Sequence, residues 1–182
     1  VLLQIMLAIH LGRMRNLSKG RSQEILKEMQ KLPELVEKIL KNANSIKKLA
    51  MKYKNYNNLF FFFFKYNVGS ALEGALKLKE CAYVHVEGCN SAELKHGPIS
   101  LIDKNFPTLV IAPTDSMYEK SKSSIQEIKA RGGLVIALTT ENNEELKNIA
   151  DDVIYIPKTL EMLTPILAFL PMQLLAYYIA VE

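Results

Sequence analysis

Apolar residues recur at helical spacing through the N-terminal part of the chain and then give way to short continuous apolar runs separated by amphipathic stretches. Residues 1 to 16 are apolar nearly all round until Arg13, Arg15 and Asn16, which predicts a helix whose packing partners lie upstream of it. From Ser22 to Lys41, the positions Ile25, Leu26, Met29, Leu32, Leu35, Val36, Ile39 and Leu40 define one greasy side of a second helix. Pro33 marks a kink or a fresh start within it. A third amphipathic helix is expected at about Ser45 to Tyr53.

Beyond Tyr53 the pattern alternates. Leu59 to Phe64, Pro107 to Ala112, Leu134 to Leu138 and Val153 to Ile156 are continuous apolar runs, the form taken by strands buried on both faces of a parallel sheet. Between them, Ser70 to Tyr83, Ser116 to Arg131 and Glu144 to Ala150 read as helices, the second stopped by Gly132-Gly133. A last helix is expected from Pro171 to Val181, opening on its proline. Strands separated by helices predict an α/β/α sandwich with a mainly parallel sheet, preceded by helices. In such sheets ligands gather outside the carboxyl ends of the strands. Ala112-Pro113-Thr114-Asp115 and Thr139-Thr140-Glu141 leave two of those ends, as cleft linings or as ordinary turns and caps.

The charge balance, 23 Lys+Arg against 19 Asp+Glu for a net +4 over 182 residues, gives a nucleic-acid role little support, since helical surface accounts for the lysines. Cys81 and Cys89 have no His or second Cys pair near them, so neither a zinc site nor a disulfide framework is indicated. Two buried thiols in a reducing cytosol is the simple reading. Met162 to Val181 has the composition of a membrane span, but Pro165 and Pro171 interrupt it and no basic cluster flanks it. It reads as a buried closing helix.

Chemistry concentrates in two segments. Within Glu-Gly-Ala-Leu-Lys-Leu-Lys-Glu at 73 to 80, Glu73, Lys77 and Glu80 fall at i, i+4 and i+7 and share one helix face. His96 follows in Ser-Ala-Glu-Leu-Lys-His-Gly-Pro at 91 to 98, on a short helix entered through Asn90 or Ser91 and stopped by Gly97-Pro98. Carboxylates plus an imidazole form an acid/base set. By spacing alone, the same residues also fit a solvated face laced with i,i+4 pairs and a helix-end histidine.

Taken together, Ala-Leu-Glu-Gly-Ala-Leu-Lys-Leu-Lys-Glu (71 to 80), Ala-Glu-Leu-Lys-His-Gly-Pro (92 to 98) and Ala-Arg-Gly-Gly (130 to 133) closely resemble the isomerase part of the glutamine–fructose-6-phosphate aminotransferases. Residues 44 to 182 look like the second sugar isomerase (SIS) subdomain of that family. The resemblance implies residues 1 to 18 as the last helix of a preceding SIS subdomain, 19 to 43 as a linker helix, and a missing C-terminal tail. It implies the conversion of fructose 6-phosphate and glutamine-derived ammonia to glucosamine 6-phosphate, with no cofactor, in the cytoplasm.

By the same resemblance Glu80 matches the base that moves a proton between C1 and C2, and Lys77 a neighbouring cation. Glu73 matches a carboxylate lining the substrate site. His96 matches the ring-opening histidine, which in the family reaches the site of the other subunit, so a homodimer is implied. No metal, nucleic acid or membrane partner is expected. The family enters its motif helix through a glycine-bearing loop; here Phe60 to Phe64 run into Lys65 instead. Because that loop is altered and the tail absent, little turnover is expected of the chain alone. A non-catalytic phosphosugar-binding or dimerisation module is the alternative.

Overall fold

The computed structural model describes residues 1–182. Helices α1 (Leu2–Arg13), α2 (Lys19–Lys41) and α3 (Ala43–Tyr53) lead into strand β1 (Asn58–Phe63) and helix α4 (Val68–Ala82). There follow β2 (His85–Asn90), 3-10 turns at Ser91–His96 and Pro98–Leu101, β3 (Thr108–Ile111), α5 (Tyr118–Ala130), β4 (Val135–Thr140), α6 (Glu144–Lys147), β5 (Asp152–Ile156) and α7 (Thr164–Val181). The five strands pair in the order β2-β1-β3-β4-β5, all parallel, in registers such as Phe61↔Gly88, Phe60↔Thr108 and Ile136↔Asp152.

The expected sandwich is therefore present, with one strand more than the apolar runs predicted. In β2, His-Val-Glu-Gly-Cys-Asn, only Val86 and Cys89 are buried, as befits an edge strand with one side turned to solvent. It has no apolar run to announce it. The last helix also starts earlier than expected, at Thr164 rather than Pro171, with Pro165 in its first turn and Pro171 inside it. Pro171 is itself buried beside Leu167, Ala168 and Leu175, so packing holds the helix through the break. Pro33 likewise lies within a continuous α2, which Ser18 caps by accepting from the Arg21 N–H at 3.2 Å.

Two apolar clusters flank the sheet. On one side, Phe61, Phe63, Leu109, Ile111, Ile136 and Leu138 pack under α3, α4 and α7, with Leu32 and Ile39 of α2 joining from outside. On the other, Phe60, Phe62, Val110 and Ala137 meet Ile125 and Ile128 of α5, Leu146 of α6, and Leu94 and Ile102 of the segment after β2. Four of the five phenylalanines are thus split by strand alternation, two rings to each face, while Phe64 lies beyond the strand end. Phe60 stacks on Phe106 at 4.5 Å between centroids. Each buried ring contributes about 2 kcal/mol by removal from water.

Helix α7 is long and apolar enough to cross a membrane by length and composition. In the fold it is the closing helix, with Leu167, Ala168, Met172 and Leu175 wholly buried. Helix α1 differs: Leu3, Met6, Leu7 and Leu11 are exposed, and Ile9 alone is buried. Cys89 is buried, which pushes its thiol up to about 12. Cys81, expected inside, is exposed at the end of α4.

Candidate functional site

Helix α4 carries the carboxylate–lysine face. Gly74, Ala75 and Leu78 turn inward, and Gly74 lies against Met172 of α7 and Phe61 of β1. That seating leaves Glu73, Lys77 and Glu80 on the outer side. Lys77 Nζ is 2.7 Å from Glu80 Oε2 and 3.6 Å from Glu73 Oε1. The bond to Glu80, and then the charge of both carboxylates, raise the lysine above its ordinary value despite opposing desolvation. Lys77 is therefore a fixed cation at neutral pH, held between a carboxylate on either side. Such a group cannot serve as a neutral amine; it can oppose negative charge that develops beside Glu80.

His96 is exposed at the end of the first 3-10 turn after β2. Asn90 caps that turn by accepting from the Ala92 N–H at 3.0 Å, and Leu94 anchors it in the α5-side cluster. Lys95 reaches Glu127 of α5 at 2.9 Å. Gly97 ends the turn at φ 152, a conformation that side-chain-bearing residues rarely adopt. The histidine thus lies on the α5 layer and the carboxylates on the α4/α7 layer. The fold brings Glu73, Lys77 and Glu80 together and leaves His96 on the other side of the sheet.

The carboxyl ends of the strands hold a different arrangement. Thr139 Oγ1 donates to the Ala112 carbonyl at 2.7 Å, and Thr140 Oγ1 accepts from the Thr114 N–H at 2.9 Å. These hydroxyls tie β3 to β4, which is the turn-and-cap role. Around them lie an open cleft of about 420 Å³ bordered by Thr114, Tyr118, Glu141, Asn143 and Lys158, and a smaller one of about 180 Å³ bordered by Asp115, Thr159 and Glu161. Between β1 and β3, where the strand order reverses, the mouth is occupied by the protein's own side chains. Lys65 Nζ donates to Ser116 Oγ at 2.5 Å and approaches Glu161 Oε1 at 3.3 Å, while Ser116 Oγ donates to the same oxygen at 2.8 Å.

Burial works to raise Glu161, but the bonds from Ser116 and Lys65 prevail and hold it below the ordinary carboxylate range. Burial raises Asp115 next to it. Lys65 itself sits at φ 46, in the left-handed region, so the backbone turn that a glycine would make is made here by a lysine. The residue types alone do not disclose this cluster. Its one signal is a lysine placed directly after an apolar strand, where the resembling family has a glycine-bearing loop.

Comparison with known proteins gives the same picture. The SIS domain model matches residues 53–182. The chain is 45% identical over 177 residues to the glutamine–fructose-6-phosphate aminotransferase (isomerizing) of Thermus thermophilus, and 42% identical over 180 residues to that of Chlorobaculum tepidum. These alignments cover 97% and 99% of the chain but 29% of each relative, so the chain spans less than a third of their length. Among solved structures, the C-terminal domain of glucosamine-fructose-6-phosphate aminotransferase from Francisella tularensis superposes with a TM-score of 0.92 at 30% identity, over 97% of this chain and 50% of that one. A matching family model across the whole sheet, and relatives aligned from end to end of the chain, carry one conclusion: this protein belongs to the SIS domain family.

Proposed function

We propose that this chain supplies the isomerase half-site of a glutamine–fructose-6-phosphate aminotransferase, in which fructose 6-phosphate and glutamine-derived ammonia yield glucosamine 6-phosphate and water. The observation that carries the reading is the α4 face, where one ammonium is held 2.7 Å from Glu80 and 3.6 Å from Glu73. Ammonia replaces the C2 carbonyl oxygen as an imine with loss of water; a carboxylate then takes a proton from C1 and returns it to C2, the electron pair being drawn meanwhile toward the C2 nitrogen of an enediol-like intermediate. Glu80 is the base in this scheme. Lys77 opposes the developing charge, and Glu73 lines the site and keeps Lys77 in place.

His96 opens the sugar ring by moving a proton between the ring oxygen and the anomeric hydroxyl. It does so in the site of a second copy. Its placement on the opposite layer from Glu80 supports that reading, because the two groups do not face one pocket within one chain. The exposed leucines of α1 support a further element of it: residues 1 to 18 close a preceding SIS subdomain, 19 to 43 link the two, and 44 to 182 form the second. Work on a soluble sugar phosphate in the cytoplasm accords with this scheme.

A chimera tests it. Residues 1–182 replace the matching segment of the Thermus thermophilus aminotransferase, and amino-sugar formation is followed with and without Glu80→Gln. The substitution keeps the shape and removes the base, so turnover falls by about 10² or more while fructose 6-phosphate still binds. An active Glu80→Gln chimera, or a parent chimera with no activity, counts against the reading.

A further inference from the structure

Helix α4 carries the carboxylate–lysine face, yet no side-chain cap holds its first turn: Asn67 stands at the cap position and makes no such bond. The fastening comes from α7 instead, at three heights. Gly74 packs on Met172. One turn earlier, the buried Ser70 donates its hydroxyl to the Pro165 carbonyl at 2.8 Å. Before the helix begins, Lys65 Nζ approaches Glu161 Oε1 at 3.3 Å. The partners advance together along both helices, which run in one direction.

The lowest of these ties joins the start of α4 to the start of α7. Lys65 opens a 3-10 turn, Lys65–Asn67, that runs directly into Val68, and Glu161 opens another, Glu161–Leu163, that runs directly into Thr164. Ser116, in the loop after β3, accepts from Lys65 at 2.5 Å and donates to Glu161 at 2.8 Å, which closes a triangle. Lys65 holds φ 46 to make these bonds, a backbone state that costs a side-chain-bearing residue about 1 kcal/mol or more and persists only where its surroundings fix it.

Apolar packing has no direction, so the contact of α4 with α7 sets their spacing and leaves their offset along the axis soft. Directed hydrogen bonds and charge pairs set the offset. A stiff helix carries any offset at its start to Glu73, Lys77 and Glu80, and a displacement of about 1 Å at reacting groups costs up to about 10²-fold in rate. We propose that Lys65 is a positioning residue of the sugar site: through Glu161 and Ser116 it fixes where α4 begins against α7, and so where Glu80 stands. In this role it touches no sugar. The proposal rests on the reading that Glu80 is the base.

The chimera with the Thermus thermophilus enzyme tests it. Lys65→Met removes the ammonium, so kcat falls about ten-fold while KM for fructose 6-phosphate stays within about two-fold. Lys65→Arg keeps a cation with donors and stays within about two-fold of the parent in both constants. Glu161→Gln loses about as much as Lys65→Met, and the double variant is no slower than either, since all three break one tie. With both side chains partly exposed, the variants keep the parent's circular dichroism at the assay temperature, so loss of folded molecules does not account for the fall.

An unaltered kcat in Lys65→Met, a loss confined to KM, an arginine variant as slow as the methionine, or losses that multiply in the double variant overturns the proposal. Glu80→Gln separates it from the reading beneath. An active Glu80→Gln chimera removes the base and the proposal with it, whereas an inactive one beside a fully active Lys65→Met removes the positioning role alone.

Discussion

Gly74 and Gly69 lie on the same helix, yet alanine at the two positions should change stability in opposite directions. A methyl group at Gly74 would sit 2.8 Å from Met172 Sδ, 2.9 Å from Met172 Cβ and 3.0 Å from Phe61 Cε2. The sulfur can swing aside, but the Cβ is fixed to the α7 backbone, so α4 must lift. Overpacking of this kind costs about 1–3 kcal/mol, and alanine in place of glycine within a helix returns about 0.8–1 kcal/mol. The net effect is therefore a loss of up to about 2 kcal/mol. At Gly69 no atom lies within 4 Å of the added methyl, so only the propensity gain remains, about 0.5–1 kcal/mol in a first turn. Urea unfolding of the two variants against the unaltered chain reads both signs from the midpoint at constant slope. A Gly74→Ala chain stabilised to the same extent as Gly69→Ala would refute the close helix contact that holds Glu73, Lys77 and Glu80 outward.

Two other expectations are open to measurement. Asp151 accepts from the Val135 N–H at 2.7 Å and from Lys129 at 2.7 Å; burial pushes it up, but these bonds win and hold it below its ordinary 3.8. Its folded value being depressed, the stabilisation is present above about 3.8 and lost as the pH falls through the folded value. Asp151→Asn should cost about 1 kcal/mol at neutral pH, a modest figure because the residue is partly solvated. Urea midpoints of the two proteins should converge in acid, and a gap that persists there would exclude the linkage. Gly97→Ala meets no atom within 4 Å but must hold φ near 152, at a cost of about 1–3 kcal/mol. In the chimera it should lower turnover through His96 next door, so unimpaired turnover in the variant would show that this turn does not position the histidine.

The sheet was legible in the sequence wherever burial on both faces left a continuous apolar run, as in Leu134 to Leu138. It was illegible at β2, where an edge position lets His85 and Glu87 face solvent and where Gly88 yields to Leu72 of α4. The start of α7 was hidden because proline reads as a boundary, whereas buried neighbours on both sides of Pro171 carry the helix past it. Cys81 was misplaced for a related reason: a thiol is taken as apolar, and the last turn of α4 projects beyond the core. The Glu73–Lys77–Glu80 face followed directly from helical spacing. The Lys65–Ser116–Glu161 cluster did not, because its members lie 51 and 96 residues apart along the chain and only tertiary folding joins them.

The phenylalanines of β1 are shielded at their outer edge by β2 alone, and β2 is anchored inward by only Val86 and Cys89. Peeling six residues from the rim would therefore uncover an uncharged, proline-free aromatic ribbon with unpaired backbone groups, the kind of template on which chains stack into fibrils. Resistance to clumping in this molecule therefore depends on this edge strand staying in place, and local opening there becomes hazardous well before the whole sandwich melts.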